Sequence, residues 1–144
     1  MEDPDRLIHA LRRFAFEYNR QVLTFGDSES LHPSDIRALV ALLDAERAGV
    51  TATAGWLGQQ VQLSPASTTA LVDRLVTRGF AERVADERDR RRVRIRVTDS
   101  AIAVGQRFFA PMLAQLRAAA AGLTESQATA FMAVLRAISD GADR

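Results

Sequence analysis

The sequence predicts a mainly α-helical protein that contains one small β-hairpin. Apolar residues recur at intervals of three and four over most of the 144 residues, which is the spacing of one face of a helix. Near the middle of the chain, Ser64 and Pro65 form a helix-start signal that follows a short helical segment. Residues 92–97 instead alternate arginine with β-branched residues, the pattern of a strand with one buried face.

The composition is that of an ordinary globular protein, with 47% apolar and 26% charged residues. Its length predicts one domain with its own core. No apolar run approaches the roughly 20 residues that span a bilayer, and the acidic residues 1–5 lack the order of a secretory signal. We therefore expect a cytoplasmic protein. The absence of cysteine excludes disulfides and thiolate metal sites. Because His9 and His32 are far apart in sequence, no metal or other cofactor is predicted.

The N-terminal part of the chain predicts two amphipathic helices. The first covers residues 5–25, and Gly26 with the polar residues after it is expected to end it. Its apolar face carries Leu7, Leu11, Phe14, Tyr18, Val22 and Phe25. The second covers residues 34–48, with Pro33 near its first turn and Gly49 after its end.

The middle of the chain predicts two shorter helices joined by a tight connection. Residues 53–60 fit a third helix, although two glycines lower its helix propensity. After the connection at residues 62–63, Ser64 can cap a fourth helix over residues 65–78. Gly79 is expected to end it.

An arginine-rich hairpin is predicted directly after the fourth helix. Residues 80–84 and 92–97 form its strands, and residues 86–91 between them are too charged to bury. From Arg83 to Arg96, seven arginines stand against three acids, a local excess of +4 in a chain whose net charge is +1. Such a hairpin can be ordinary solvated surface, but arginine also offers a planar fork that suits phosphate oxygens and base edges.

Helix, tight turn, helix and hairpin in this order define a winged helix-turn-helix, whose second helix enters the major groove of DNA. The predicted organisation is one domain over residues 1–144, with a DNA-binding winged region at 33–98 and dimerisation helices at 1–32 and 99–144. The terminal helices have apolar faces that need a partner. They can pack on their own domain, but two-fold symmetry would place two recognition helices in successive grooves, so we predict a homodimer.

The C-terminal part of the chain predicts two further helices. Thr98 with Asp99 caps one that extends to about Ala121, and Pro111 within it is expected to cause a kink. Thr124 and Gln127 form a capping box for the last helix.

Three motifs at their spacings resemble the MarR family of transcription regulators, over residues 33–115. They are Leu63-Ser64-Pro65, Asp73-Arg74-Leu75 followed by Arg78-Gly79-Phe80, and Asp89-Arg90-Arg91, which begins nine residues before Thr98. The resemblance implies a winged helix-turn-helix homodimer, usually a repressor, on palindromic double-stranded operator DNA. It also implies a small aromatic or phenolic effector that binds between the dimerisation helices and the DNA lobe and lowers operator affinity.

The resemblance also assigns DNA-contacting residues. Arg91 matches the wing arginine that reaches into a minor groove, and Asp89 matches the acid that holds the wing in shape. The residues expected at the major groove are Ser64, Pro65, Ala66, Ser67, Thr68 and Thr69. Ala70 stands where relatives often have arginine, so this helix offers hydroxyls and methyls but no bidentate reader of guanine. Phosphate contacts and the wing are therefore expected to supply more of the affinity than usual.

Other arginines are assigned by their positions. The candidates for insertion into a narrow minor groove are Arg88, Arg90 and Arg91 at the hairpin tip. Arg74 and Arg78, one turn apart on the fourth helix, are expected to meet phosphates, although one can instead pair with Asp73 or Glu82. The arginines of residues 92–96 add attraction to the DNA backbone or only solvate the strand.

The effector and the rival functions have weaker sequence signals. The aromatic candidates for an effector pocket are Tyr18, Trp56, Phe108 and Phe109, each of which can instead be plain core. No Gly-rich phosphate loop, metal-ligand cluster or nucleophile near a histidine is present in the sequence, so an enzyme is not predicted. A winged-helix module that binds another protein or RNA, without an effector, is the alternative.

Overall fold

The computed structural model of the protein describes residues 3–142. Within that range there are six helices and two strands: α1 (Pro4–Glu29), α2 (Pro33–Arg47), α3 (Ala54–Val61), α4 (Pro65–Thr77), β1 (Ala81–Ala85), β2 (Val93–Val97), α5 (Asp99–Ala121) and α6 (Glu125–Ala142). The two strands form one antiparallel hairpin. The predicted fold class is therefore confirmed.

The chain divides after Gly105 into two compact units. The first unit contains α1 to β2 and the beginning of α5, and the second contains the rest of α5 and α6. All elements of the winged helix-turn-helix therefore lie in the first unit.

Helix α1 is longer than predicted, because it continues through Gly26 into the polar residues that follow. The predicted end near Phe25 is wrong, since the helix ends at Ser30, which has the left-handed φ of 54°. A Cβ atom at Gly26 would lie 2.7 Å from the Ile36 Cδ1 atom and 3.0 Å from the Leu31 carbonyl oxygen. This glycine therefore permits a close approach between α1 and α2 and does not mark a helix end.

The core of the first unit is formed by the apolar faces of its helices and of the hairpin. Its most deeply buried members include Leu42, Leu57, Leu71, Val72, Leu75, Ile95 and Val97. Burying one such side chain stabilises a fold by about 1.5–3 kcal/mol relative to leaving it in water. The core thus holds α4 and the hairpin to the rest of the unit.

A tight turn connects α3 to α4. Gln62 ends α3 with a left-handed φ of 56°. Ser64 then caps α4 as predicted, because its Oγ accepts a hydrogen bond from the Ser67 amide at 3.2 Å. Losing such a cap costs about 1 kcal/mol, so the short connection is held by local hydrogen bonds as well as by the core.

Gly58 lets α3 and α4 approach each other closely at this turn. A Cβ atom on Gly58 would lie 2.7 Å from the Thr68 Oγ1 atom and 3.3 Å from the Leu63 carbonyl oxygen. The glycine that lowers the helix propensity of α3 therefore contributes to the packing of α4.

The hairpin has one buried face, as its alternating sequence predicts. Strands β1 and β2 pair antiparallel, with Ala81 opposite Val97. Ile95 and Val97 are buried, whereas Val93 near the tip is exposed. The Ile95 amide also donates to the Ala52 carbonyl oxygen at 2.8 Å. The base of the hairpin is thus fastened to the segment before α3, while its tip projects from the core.

Helices α5 and α6 begin at the predicted caps. The Thr98 Oγ1 atom accepts a hydrogen bond at 3.2 Å from the amide three residues later, and α5 runs on without a break through Pro111. At the start of α6, the amides of Thr124 and Gln127 each donate to the other's side chain, at 2.9 and 3.3 Å. None of the helices in residues 3–142 has both the length and the apolar composition needed to cross a membrane.

Candidate nucleic-acid interface

The N-terminal half of α4 exposes most of the residues that were predicted to meet a major groove. The exposed residues are Ser64, Pro65, Ala66, Ser67, Thr69 and Ala70. The prediction that Thr68 meets the groove is wrong, because this residue is only 1% exposed and its Oγ1 donates to the Ser64 carbonyl oxygen at 2.8 Å. Its side chain supports the α3–α4 packing and does not reach the outer face. The exposed surface therefore consists of hydroxyl, methyl and proline groups.

Arg74 forms an ion pair that the sequence patterns did not predict. Its Nη2 lies 2.5 Å from Oδ1 of Asp35, and its Nε donates to Oδ2 of the same carboxylate at 3.4 Å. Asp35 lies in the first turn of α2 and is only 1% exposed. The guanidinium predicted to meet a phosphate, or to pair with Asp73 or Glu82, is thus held by a buried carboxylate 39 residues away.

Arg78, one turn further along, is also held by the protein. Its two Nη atoms donate to the backbone carbonyl oxygens of Ser30 and Glu29 at the C-terminal end of α1. The guanidinium carbon lies 5.2 Å from the centre of the Phe80 ring, a cation–π contact. The C-terminal half of α4 is thereby tied to the α1–α2 junction at two successive turns.

The base of the hairpin carries further ion pairs. Arg83 of β1 lies 2.5 Å from the carboxylate of Asp73 on α4. Arg96 of β2 lies 3.3 Å from both Glu82 and Asp99, although its Nε does not make a hydrogen bond with Glu82. Arg83 therefore connects β1 to α4, and Arg96 connects β2 to β1 and to the start of α5.

The tip of the hairpin is closed by short-range hydrogen bonds to its aspartates. Asp89 accepts from the Arg91 amide through its side chain at 3.0 Å and from the Arg92 amide through its carbonyl at 2.9 Å. The side chain of Asp86 accepts from the Arg88 amide at 3.3 Å. A carboxylate bonded to a backbone amide two residues later is typical of an Asx turn. The geometry agrees with the shaping role predicted for Asp89, which stays a prediction.

Four arginines of the tip present their side chains to solvent. They are Arg88, Arg90, Arg91 and Arg92. Within residues 3–142, no acidic side chain forms an ion pair with any of them. Residues 86–92 hold these four arginines against three acids, Asp86, Glu87 and Asp89, so the tip is a largely exposed loop with a small excess of positive charge. We call these four residues the tip arginines.

A separate cleft of about 630 Å³ lies between α1, α2 and α3. Tyr18 and Trp56, two of the predicted effector residues, line it. The rest of its wall includes apolar residues of α1 and α2 and the charged side chains of Arg37 and Asp44. The volume is in the range of pockets that hold small organic molecules.

Phe108 and Phe109, the other two predicted effector residues, do not belong to this lining. They lie in the second unit and contact each other edge to face, with ring centres 5.1 Å apart. Across the described residues 3–142, no group of three or more metal-ligating side chains comes together.

A two-helix turn, an exposed second helix and a charged hairpin define the class of this protein as a winged helix-turn-helix protein. Residues 30–92 match the model of the MarR family. The resemblance noted from the sequence motifs is therefore confirmed.

Individual proteins are similar to the chain over different lengths. An uncharacterised HTH-type transcriptional regulator, YcgE of Bacillus subtilis strain 168, is 45% identical over 63 residues, which span 44% of this chain and 38% of that regulator. A MarR family protein from Bacillus stearothermophilus has a similar structure, with a TM-score of 0.66 and 23% identity over 97% of this chain and 95% of that one. MepR of S. aureus in its complex with DNA gives a TM-score of 0.60 and 16% identity over 92% and 97% of the two chains. These structures show that the fold is shared.

Proposed function

We propose that this protein is a sequence-specific transcription regulator that binds double-stranded DNA, a repressor that acts as a homodimer on a palindromic operator. The observation that carries the proposal is the group of tip arginines, which project on a closed loop and have no acidic partner in the described chain. Arginine is the side chain best suited to a narrow minor groove and to phosphates. A DNA-binding role also agrees with the expected cytoplasmic location.

The surface of α4 indicates how sequence would be read. Its exposed N-terminal half presents Ser67 and Thr69 hydroxyls and the methyl groups of Ala66 and Ala70. Hydroxyls form single hydrogen bonds that select bases weakly, and methyl groups can contact the thymine methyl. The wing and the phosphate contacts would therefore provide a large part of the affinity. The DNA complex of MepR, which has the same fold, supports DNA binding by a protein of this fold.

A DNA titration tests the proposal. Fluorescence anisotropy would compare palindromic duplexes from the DNA that flanks the coding region with a random duplex of equal length, at about 50 and about 200 mM salt. We expect preference for one palindrome and a fall of log affinity with log salt of about 0.9 per phosphate contacted. Absence of binding to every duplex at low salt would instead favour a winged-helix module that binds protein or RNA.

Exposed apolar side chains on the terminal helices support the homodimer. On α1 they include Leu7, Ile8, Phe14 and Phe16. On α6 they include Phe131, Met132, Val134 and Ile138. Helices with apolar faces of this size require a partner, and a second copy of the chain would supply one while also presenting two recognition helices.

Sedimentation equilibrium tests this assembly. The substitution Ile138→Asp places a charge in the apolar surface of α6, and we expect it to shift the protein toward monomers. Ala133→Asp is the matched control, because it adds the same charge on the opposite side of the helix. A monomeric unsubstituted protein would contradict the proposal.

We also propose that the cleft between α1, α2 and α3 binds a small aromatic or phenolic effector that lowers operator affinity. Its aromatic wall at Tyr18 and Trp56 and its mixed charges at Arg37 and Asp44 suit a small planar molecule with one polar group. A structure of MepR bound to ethidium supports binding of a planar aromatic molecule by this fold.

Trp56 makes this proposal easy to test, because it is the one tryptophan of the chain. Its fluorescence would be followed during separate titrations with benzoate, phenol and ethidium in the absence of DNA. We expect at least one probe to saturate the signal, and Tyr18→Ala to weaken that probe. Leu23→Ala is the matched control, since Leu23 is an exposed apolar residue of α1 outside the cleft lining. No change with any probe at millimolar concentration would contradict the proposal.

A further inference from the structure

The carboxylate of Asp35 is buried and forms an ion pair with Arg74, an arginine from a distant part of the chain. Its Oδ2 accepts from the His32 amide at 3.0 Å and from Arg74 Nε at 3.4 Å. Its Oδ1 accepts from Arg74 Nη2 at 2.5 Å. Both oxygens are therefore used inside the protein, in the two-pronged geometry that makes arginine–carboxylate pairs specific in direction.

This ion pair joins two parts of the molecule that have different roles. Asp35 lies in the first turn of α2, beside Ile36 and Arg37, which line the cleft. Arg74 lies in α4, one turn before Arg78, whose guanidinium is held by the end of α1. Helix α4 is also tied to the hairpin through Asp73. The rotation of α4 about its own axis is therefore restrained by directional contacts in addition to apolar packing.

We infer that Asp35 is a positioning residue for DNA recognition, which acts through Arg74 to fix the orientation of α4. This inference rests on the proposed function. It also assigns Arg74 a role different from the predicted phosphate contact, because two of its three guanidinium nitrogens donate to the Asp35 carboxylate. In this role the pair sets which faces of α4 reach the bases, and so it affects the preference for operator over random DNA.

The two roles of Arg74 predict opposite results for Asp35→Asn. If Arg74 were a phosphate ligand, removing its carboxylate partner would strengthen binding to all duplexes. If Asp35 positions α4, the same substitution would weaken operator binding although it makes the protein more positive. We expect the ratio of operator to random-duplex affinity to fall by about tenfold or more. Affinity for the random duplex would be unchanged or higher.

The experiment uses the whole 144-residue chain with the palindromic duplex selected by the unsubstituted protein and a random duplex of equal length. Glu46→Gln is the matched control, because it removes from the same helix a carboxylate that is exposed, lies outside the cleft lining and has no ion pair among the described residues. It is expected to leave the affinity ratio unchanged. Thermal melting would test whether each variant is folded, and sedimentation would test whether its state of assembly is unchanged.

Arg74→Gln gives a second test, which removes the guanidinium and not the carboxylate of the pair. The inference expects a reduced affinity ratio with an unchanged salt slope, and no further loss when Asp35→Asn is added. A phosphate ligand would instead lower the affinities for both duplexes equally and make the slope shallower by about 0.9. That result, or an unchanged ratio in folded Asp35→Asn, would overturn the inference. If the unsubstituted protein binds no duplex, the proposed function fails, and the inference fails with it.

Discussion

The tip of the hairpin and the C-terminal half of α4 are both rich in arginine, but the two regions use it differently. The tip arginines are exposed and have no acidic partner among residues 3–142. Arg74 and Arg78 on α4 are bound by a buried carboxylate and by two backbone carbonyl groups. One region therefore presents its positive charge outward, whereas the other uses it to hold a helix in place.

This difference shows that local charge does not by itself identify a DNA contact. An arginine that satisfies a buried carboxylate is part of the fold, and freeing it would leave a charge without a partner, which is costly. An exposed arginine at the hairpin tip does not neutralise a buried carboxylate. Substitutions in the tip should therefore change DNA binding with little effect on stability, and substitutions around α4 should change stability or the choice of sequence.

The largest effect on DNA binding is expected from Arg91→Ala at the tip. Removing one arginine contact in a groove should lower operator affinity between about tenfold and about 100-fold. The melting temperature and the state of assembly should be unchanged, because the Arg91 side chain is exposed. Anisotropy titration and sedimentation measure the two properties. Near-normal operator affinity would show that the wing does not contact DNA as proposed.

A large effect on stability is expected from Gly58→Ala beneath α4. The added methyl group would lie 2.7 Å from Thr68 Oγ1 and 3.3 Å from a backbone oxygen, so the free energy of unfolding should fall by about 1–3 kcal/mol. Gly55→Ala in the same helix is the matched control. Its new methyl group would meet only one atom, 3.9 Å away, so it should be neutral or stabilising by up to about 1 kcal/mol. Equal urea midpoints for the two variants would contradict this account.

A smaller effect is expected in the salt dependence when Arg88→Gln or Arg90→Gln removes one charge from the tip. If each contacts one phosphate, the slope of log affinity against log salt should become shallower by about 0.9. A slope identical to that of the unsubstituted protein would mean that the residue only solvates the loop.

The smallest effect is expected from Arg83→Gln at the base of the hairpin. Its pair with Asp73 is partly exposed, and such pairs contribute up to about 1 kcal/mol. We expect a small decrease in melting temperature and an unchanged salt slope, because Arg83 is engaged by Asp73. A slope change as large as that of Arg88→Gln would place Arg83 among the DNA contacts and would remove the contrast between tip and base.

Much of the fold could be predicted because its signals are local. The helix spacing, the cap at Ser64 and the alternating residues of β2 each depend on neighbours within a few positions. Gly26 shows where such reasoning fails: a glycine followed by polar residues is typical of a helix end, but here it allows α1 to pass close to Ile36. Only the position of α2 in space distinguishes these two uses of a glycine.

The candidate site shows the same division. The sequence alone predicted the winged helix-turn-helix class, the exposed N-terminal half of α4 and the arginine excess of the hairpin, because each depends on a pattern of neighbouring residues. The tertiary structure decided that Thr68 faces inward and that Asp35 holds Arg74 across 39 positions of sequence. It also decided that Tyr18 and Trp56 share a cleft. The physical reason is that burial and ion pairing depend on which segments meet when the chain is packed, and local periodicity carries no information about that.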